Sequence, residues 1–566
     1  MEPSGEDRGD GRLSRRRVLQ LGAVGVVVLP SVLAACGSDN SSGGSATTAR
    51  GTGTTAGGAS ATSATPTSTT VPADRTAILR FGAMRGTSYD PIKVGTQTEY
   101  PQLNVLFDTL ITTDPLTGEL KPRLATKWDV QPDRVRLTLR QGVTFQDGTP
   151  FNADAVKFSI ERALSDPDSN IKTRIPMVSG VTVVDPQTAD IMLNANAPAS
   201  LLVQLSDRPG MMVSPTAVQA AGNSANFSKK PVGAGMYAIS GDWFPREKMS
   251  VRAWPGYWDK DAALLGGIDF TEVAMAAQLN ALRAGEEDMG SYLGTDVATI
   301  KGQEHLRTKI GYSAVVKGLV MNWATPPFDN LKVRQAISYA IDRNAAVQAL
   351  SAGYGRAAWQ MFAKESPAYD PALDNMWPYN PDKAKQLLAE AGFPNGVDFK
   401  SIIGSSSAPY VQFGQLIQGQ LKKVGINMDL QLVDAAQTLA LLYQQGAAPS
   451  SPLATGGSVP DISMRQTLLK EGQTNAAHQD VPGVRDLLDK ASAATSQAEA
   501  NGYYKQVSKI VTEGLYSIIP VFNDPAVSGY YDYVGGITRG MADTDTSPEM
   551  FRGIYITQGK TPASQE

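Results

Sequence analysis

The fold is decided by the segment Arg134-Val135-Arg136-Leu137-Thr138-Leu139-Arg140-Gln141-Gly142-Val143-Thr144-Phe145-Gln146-Asp147-Gly148-Thr149-Pro150-Phe151-Asn152-Ala153-Asp154-Ala155-Val156. Its first part alternates charged or polar residues with three apolar ones, Val135, Leu137 and Leu139. This alternation predicts a strand with one buried face. Asp147-Gly148-Thr149-Pro150 predicts a turn. Asn152 can then cap a helix whose apolar positions share one face: Val156, Ile160, Ala163 and Leu164. The segment therefore predicts a strand, a turn and a helix.

Helix and strand patterns continue to alternate along the chain, without a repeat of fixed period. Asn330 can cap a second helix with an apolar stripe at Val333, Ile337, Ala340 and Ile341. Asn380-Pro381-Asp382 opens a third helix, which Gly392 ends. A fourth helix carries Phe413, Ile417, Leu421 and Val424, ends at Gly425 and leads into an alternating strand over Ile426–Leu432. The body of the chain is therefore predicted to have an α/β fold.

The first thirty-six residues have the pattern of an export signal. Arg15-Arg16-Arg17 precede an apolar run from Leu21 to Ala35, which is short for a membrane span. The adjacent arginines resemble a twin-arginine signal, although Val18 stands where an aromatic residue is usual, so the general export route stays open. Leu33-Ala34-Ala35-Cys36 resembles a bacterial lipobox, which predicts that residues 1–36 are a lipoprotein signal peptide and that Cys36 is lipidated. The alternative is an ordinary signal peptide that happens to contain a thiol.

Residues 37–75 are almost entirely Gly, Ser, Thr and Ala. A segment of this composition cannot bury a core and is predicted to be a disordered tether. As a flexible coil of about forty residues it would span roughly 35 Å. That length is enough to hold a folded body clear of a membrane.

The composition of the chain limits its partners. The 51 basic and 55 acidic residues give a formal net charge of −4, and the charges that follow residue 36 are spread without blocks of one sign. Nucleic acid is therefore excluded as a partner, because phosphate binding relies on clustered Lys and Arg. Cys36 is the only cysteine, so no intramolecular disulfide and no cysteine-based metal site is expected.

Residues of the kind that enzymes use are scarce. The two histidines, His305 and His478, lack the spacing of a helical zinc pair, and His478 is the better of two poor metal candidates. The chain contains no Gly-x-Ser-x-Gly motif and no phosphate-binding loop. We therefore expect no enzymatic activity, no cofactor and no metal, with a secreted cell-wall hydrolase as the enzyme alternative.

Several segments carry a resemblance to a known family. The segment Leu139–Val156 is similar to the signature of extracellular solute-binding proteins of the peptide/nickel-binding family (family 5), the receptors of ABC importers. Further matching pieces follow in family order: Pro231–Tyr237, Asn322–Arg343 and Tyr379–Gly396. The body is therefore identified as a member of that family.

The resemblance implies a two-lobed, periplasmic-binding-protein-like α/β fold with mixed sheets and hinge strands. Lobe I would take residues 76–318, with an extra subdomain at about 113–220. Lobe II would take residues 319–520, and residues 521–566 would return to lobe I.

The resemblance also implies a function. The protein would be a monomeric receptor, anchored by lipid to the outer face of the cell membrane. It would capture a peptide or similar-sized solute between its lobes and deliver it to the membrane subunits of an ABC permease. An interaction or signalling lipoprotein that kept the binding fold without transport is the alternative.

The family's ligand positions can be carried over onto this chain. They indicate Tyr100 and Gln102 in the segment after the first strand, and Asn322 and Trp323 at the first crossing between lobes. Tyr410, Phe522 and Asn523 are the candidates at the other lobe junctions. Aromatic side chains offer a large contact area at small entropic cost. Each of these residues could instead belong to the core.

One expected ligand residue is displaced. Peptide binders of the family commonly place an Asp in the loop after a lobe II strand, where it pairs with the ligand ammonium. Here Gly456-Gly457-Ser458 occupy that place, and Asp461 follows a few residues later. We predict a ligand contact for Asp461, with a structural role as the alternative.

Overall fold

The computed structural model describes residues 73–559 except 84–85, 87, 95–98, 115–118, 242–247, 406–407, 458 and 539–548. The predicted signal peptide, Cys36 and almost all of the tether lie outside the described residues. No helix in the described part of the chain is long and apolar enough to cross a membrane.

The described residues form strands distributed over six sheets. These are β1 (Ile78–Ala83), β2 (Ile111–Thr113), β3 (Leu120–Pro122), β4 (Ala125–Gln131), β5 (Arg134–Leu139), β6 (Val178–Asp185), β7 (Thr188–Leu193), β8 (Tyr237–Ile239), β9 (Lys248–Ala253), β10 (Gly267–Glu272), β11 (Met289–Tyr292), β12 (Leu306–Tyr312), β13 (Val315–Met321), β14 (Arg356–Ala357), β15 (Val397–Gly404), β16 (Ile426–Val433), β17 (Ser450–Gly456), β18 (Ile518–Asn523), β19 (Pro525–Tyr531), β20 (Val534–Gly535) and β21 (Tyr555–Ile556).

Helices alternate with these strands. They are α1 (Tyr100–Leu106), α2 (Ala153–Ser165), α3 (Pro198–Gln204), α4 (Pro215–Ala221), α5 (Ser224–Phe227), α6 (Met275–Arg283), α7 (Val297–Lys301), α8 (Leu331–Ala340), α9 (Arg343–Ser351), α10 (Pro381–Glu390), α11 (Ala408–Lys422), α12 (Ala435–Leu439), α13 (Pro460–Leu468), α14 (Val484–Ala493) and α15 (Gln497–Gly514). Short 3-10 helices cover Arg208–Gly210, Gly294–Asp296 and Pro371–Leu373, and a π-helical turn covers Ala440–Gln444.

The segment that decides the fold forms the predicted elements. Its strand is β5, and its helix is α2, where the side chain of Asn152 accepts a hydrogen bond from the backbone N–H of Ala155 at 3.1 Å. Asn330 and Asn380 cap α8 and α10 in the same manner, as predicted. The strand after Gly425 also forms as β16, but its alternation does not reach the end, because Leu432 is 58% exposed.

Two sheets divide the body, and we name the lobes after them. Lobe I carries a mixed seven-stranded sheet in the order β12-β19-β11-β1-β10-β9-β8, in which β1 runs parallel to β10 and β11. Lobe II carries an antiparallel sheet in the order β14-β18-β13-β17. Lobe I also carries an antiparallel sheet in the order β4-β5-β7-β6, which packs with α2 around a separate apolar core. The bounds of the extra subdomain stay a prediction.

The chain passes between the two main sheets twice. It leaves β12 of lobe I and enters β13 of lobe II across residues 313–314, and it returns from β18 to β19 across Asp524. The domain limits at 318/319 and 520/521 that the resemblance implies stay predictions.

Candidate solute-binding cleft

The two crossings lie side by side. The backbone N–H of Ser313 donates a hydrogen bond to the backbone oxygen of Asp524 at 3.1 Å. The side-chain amide of Asn523 donates to the backbone oxygen of Val315 at 2.8 Å. These bonds tie the outgoing and the returning segments together, side by side.

A cleft opens beside the crossings. Its volume is about 160 Å³, and it is partly open to solvent. Lobe I contributes Gln278 and Ser291 to its walls, lobe II contributes Lys317, Leu350 and Gln412, and the returning crossing contributes Asp524. The cleft therefore has one wall from each lobe.

Lys317 is a charged residue of the lobe II sheet that lies close to the crossings. It is 8% exposed, and its ammonium lies 2.7 Å from a carboxylate oxygen of Asp524. The same nitrogen lies 4.8 Å from the ring centre of Tyr410 and 5.4 Å from that of Phe522. Aromatic faces at these distances stabilise a cation. Burial, and then the charge of Asp524, raise the pKa of Tyr410 to about 12, so the phenol is neutral at physiological pH.

A β-bulge sets the position of Lys317. Lys317 pairs with Phe522, whereas the next residue, Gly318, pairs with Pro520, so one residue of β18 is left out of the ladder. Bulges bend a strand and redirect its side chains. A Cβ atom at Gly318 would lie 2.4 Å from the backbone oxygen of Ile519, so only glycine allows this close approach.

The lobe I wall presents two polar groups that have no hydrogen-bond partner among the described residues. They are the hydroxyl of Ser291, on β11, and the amide nitrogen of Gln278, on α6. Ser291 is 4% exposed and Gln278 is 1% exposed. Buried polar groups are almost always hydrogen-bonded, so these two groups retain hydrogen-bonding capacity for a water molecule or a solute.

Three of the predicted ligand residues lie at this junction. Tyr410 lies beside Lys317, as described above. Phe522 is fully buried in the lobe II core, where its ring packs edge-on against Phe413 with the ring centres 5.5 Å apart. Asn523 is 5% exposed and holds the crossing together through Val315. Their contact with a ligand stays a prediction.

Asn322 and Trp323 directly follow the last residue of β13, whereas Lys317 lies near its first residue. The side chain of Asn322 accepts a hydrogen bond from the backbone N–H of Ala324 at 3.1 Å, which forms a local turn. Trp323 packs edge-on against Tyr516 at 4.9 Å. The structure thus does not bring these two residues together with the cleft wall around Lys317.

Tyr100 and Gln102 belong to α1 of lobe I, and both are 2% exposed. The hydroxyl of Tyr100 donates to Asp207 at 2.5 Å and accepts from Arg208 at 3.1 Å. Burial, and then the charge of Asp207, raise the pKa of Tyr100 well above its usual value. Tyr100 is therefore part of a buried polar network inside lobe I.

Asp461 lies in the first turn of α13 and is 4% exposed. Its carboxylate accepts hydrogen bonds from Arg465 at 3.3 Å, from Ser492 at 3.2 Å and from Ser200 at 3.0 Å. Burial, and then the negative charge of Asp461, raise the pKa of Tyr504. Ser200 belongs to α3 of lobe I, so Asp461 joins the two lobes away from the crossings. Its contact with a ligand stays a prediction.

The histidines lie apart from the cleft residues. The ring of His305 lies 3.3 Å from the carboxylate of Asp532 and is largely exposed. His478 has a backbone φ of 51° in a loop after α13. Among the described residues, no group of three or more His, Cys, Asp or Glu side chains could hold a metal ion.

Lys317, Asp524, Ser291 and Gln278 were not predicted from the sequence. Lys317 gave a usable signal, because it is the only charged residue in the strand Val315-Val316-Lys317-Gly318-Leu319-Val320-Met321. The other three carry no sequence pattern of their own.

Comparisons with known proteins agree on one family. The model of the family "Bacterial extracellular solute-binding proteins, family 5 Middle" matches residues 119–476. The glutathione-binding protein GsiB of Shigella flexneri is 31% identical over 410 residues, which cover 69% of this chain and 78% of that protein. GsiB of Escherichia coli K12 matches with the same identity and coverage.

Solved structures share the fold. The structure of the binding protein AgaA from A. tumefaciens R10 in complex with agropinic acid has a TM-score of 0.70 and 25% identity, and the match covers 85% of this chain and 99% of that one. The structure of DppA from Helicobacter pylori in complex with the peptide STSA has a TM-score of 0.71 and 23% identity, with 85% and 98% covered. Both are periplasmic binding proteins, which confirms the predicted two-lobed α/β class. The chain belongs to the bacterial extracellular solute-binding proteins of family 5.

Proposed function

We propose that this protein is a membrane-anchored receptor of an ABC importer, which closes two lobes on a peptide or similar-sized solute and delivers it to the permease. The observation that carries this proposal is the cleft beside the two crossings, with one wall from each lobe and with unpartnered polar groups in the lobe I wall. A solute in that cleft touches both lobes at once. Binding therefore favours the arrangement in which the lobes are close together.

The class of solute is supported by sequence similarity. GsiB, which is 31% identical over 410 residues, is named for binding glutathione, a tripeptide. The cleft offers a cation, an anion and neutral polar groups within a small volume, which suits a solute with several polar groups. Capture and release leave such a solute chemically unchanged, so the function requires no catalytic residues.

Anchoring is proposed from the sequence. Cys36 would carry the lipid, and residues 37–75 would connect it to the body on the outer face of the cell membrane. We expect a monomer, because both lobes must remain accessible to the permease.

The receptor function is tested by the solute that the protein carries. A native mass spectrum of the protein purified from its own host should show a co-purified small molecule. Small-angle X-ray scattering should show a smaller radius of gyration with this solute than after its removal. A protein that carries no solute and never changes its dimensions would contradict the proposal.

Anchoring is tested separately with Cys36→Ser. This variant should leave the membrane fraction in a detergent-free wash, whereas the native protein should stay there. Retention of Cys36→Ser on the membrane would refute lipidation without affecting the receptor function. Light scattering checks the expected monomer.

A further inference from the structure

Lys317 is an unusual residue for its position. The other residues of β13 are apolar or glycine, and the strand lies inside the lobe II sheet. An ammonium that is almost fully removed from water destabilises a protein unless it is paired. An apolar side chain would suit the strand better, so the charge requires another explanation.

The ion pair of Lys317 leaves hydrogen-bonding capacity on both sides. An ammonium has three donors, and a carboxylate can accept about four hydrogen bonds. The described polar contact of the Lys317 ammonium is Asp524, and the rings of Tyr410 and Phe522 cover other sides without accepting a conventional hydrogen bond. The carboxylate side chain of Asp524 is 34% exposed. Lys317 can therefore receive a further carboxylate, and Asp524 a further ammonium.

The net charge of the pair restricts which solute groups fit. A simple anion would be attracted by Lys317 and repelled by Asp524, and a simple cation would meet the reverse. A group with both charges satisfies each residue without leaving either one unbalanced. The hydroxyl of Ser291 and the amide nitrogen of Gln278, in the same cleft, can bind the neutral polar atoms beside those charges.

We propose that the cleft binds the zwitterionic part of an amino-acid or short-peptide solute, with the carboxylate on Lys317 and the ammonium on Asp524. This inference rests on the proposed receptor function and specifies its solute. It also assigns recognition of the solute's charges to the crossings rather than to the lobe II loop, where Gly456-Gly457-Ser458 replace the expected acid. Asp461 cannot easily substitute for that acid, because Arg465, Ser492 and Ser200 already occupy its oxygens.

The test is isothermal titration calorimetry on the full-length chain in detergent. The probes are unblocked dipeptides with small, apolar, acidic and basic side chains, together with the same peptides acetylated at the amine or amidated at the carboxyl. We expect unblocked dipeptides to bind, and each blocking group to weaken the affinity by about 10- to 100-fold, the range for a lost hydrogen bond to a charged group.

Variants assign each effect to one residue. Lys317→Met should abolish the penalty for amidation but keep the penalty for acetylation. Asp524→Asn should do the reverse. Lys309→Met, on the exposed side of neighbouring β12, and Asp398→Asn, on the exposed side of β15, are matched controls that should change neither penalty.

The double variant Lys317→Met/Asp524→Asn removes the pair without leaving one buried charge alone, so it should fold and bind blocked and unblocked peptides with equal affinity.

Three results would overturn the inference: no binding of any unblocked dipeptide, equal affinities for blocked and unblocked forms, or penalties that persist in the variants. The native mass spectrum separates this failure from failure of the receptor function. A co-purified solute without a zwitterionic group would overturn the inference while the receptor function stands.

Discussion

Lys317 and Asp461 are two buried charges at junctions of the same two lobes, but their surroundings differ. Lys317 is 8% exposed and has one described polar partner, Asp524, at the edge of a cleft. Asp461 is 4% exposed and accepts hydrogen bonds from three side chains of two lobes. If Lys317 binds the solute as proposed and Asp461 is structural, burial alone does not distinguish the two roles. The useful distinction is whether the protein itself satisfies the charge.

The largest expected effect follows from removing Asp461. Asp461→Ala leaves Arg465, Ser492 and Ser200 without their shared acceptor, so the free energy of unfolding should fall by about 3 kcal/mol. Urea denaturation measures this loss. Asp489→Ala is the control, because Asp489 pairs with the same Arg465 at 3.1 Å but is 61% exposed, and it should cost less than about 0.5 kcal/mol. Equal losses in the two variants would contradict a structural role for Asp461.

A smaller effect is expected for the bond between the lobes. Ser200→Ala removes the hydrogen bond from α3 to Asp461 and should cost about 1 kcal/mol, because Arg465 and Ser492 remain as donors. Scattering should show a larger radius of gyration for Ser200→Ala at subsaturating solute. Ser206→Ala removes a hydroxyl that bonds to Val203 next to α3, and it should leave the dimensions unchanged. A Ser200→Ala protein that closes like the native one would mean that this bond does not stabilise the closed arrangement.

Removing the ion pair of Lys317 and Asp524 should lower the free energy of unfolding still less. The double variant Lys317→Met/Asp524→Asn removes both charges together, so the free energy of unfolding should change by less than about 1 kcal/mol. The same variant should lose its preference for unblocked dipeptides, as described above. A stability loss as large as that of Asp461→Ala would place Lys317 among the structural charges and end the contrast between the two regions.

The smallest effect on stability is expected at a partly exposed cluster of ion pairs, in which Arg485 is paired with two carboxylates. Arg485 lies 2.7 Å from both Glu471 and Asp480, and its side chain is 35% exposed. Because Arg485 donates hydrogen bonds to it, and the backbone N–H of Lys470 adds another, the pKa of Asp480 is lowered to about 2. A carboxylate whose pKa is lower in the folded state stabilises the protein above its ordinary pKa of about 4, and this contribution disappears as the pH falls toward 2.

Arg485→Gln should therefore cost no more than about 0.5 kcal/mol at pH 7, since solvent screens the cluster. The difference from the native protein should stay constant from pH 7 to about 5 and shrink below about 4, as urea denaturation at each pH can measure. A cost above about 2 kcal/mol would show that the number of partners, rather than burial, determines the effect.

The sequence predicted elements whose signals are local. The alternation of Val135, Leu137 and Leu139 and the cap at Asn152 depend on neighbours within a few residues, and β5 and α2 form where these patterns indicate. The family resemblance extended this to the two-lobed class.

The residues of the candidate site were harder to predict from the sequence. Lys317 and Asp524 come together through the pairing of β13 with β18, and Ser291 and Gln278 reach the cleft from the other lobe. Asp461 was recognisable as an acid near the expected loop, but its donors Ser200 and Ser492 come from distant parts of the chain.

The most direct test is a crystal structure of the full-length protein with the solute that it carries from its own host. We predict a solute between the lobes, with its carboxylate within 3.5 Å of the Lys317 ammonium and its ammonium within 3.5 Å of the Asp524 carboxylate, at about the usual hydrogen-bond limit. Asp461 should keep its bonds to Arg465, Ser492 and Ser200 in that structure. A solute ammonium bound to Asp461, with the pair of Lys317 and Asp524 undisturbed, would contradict this account.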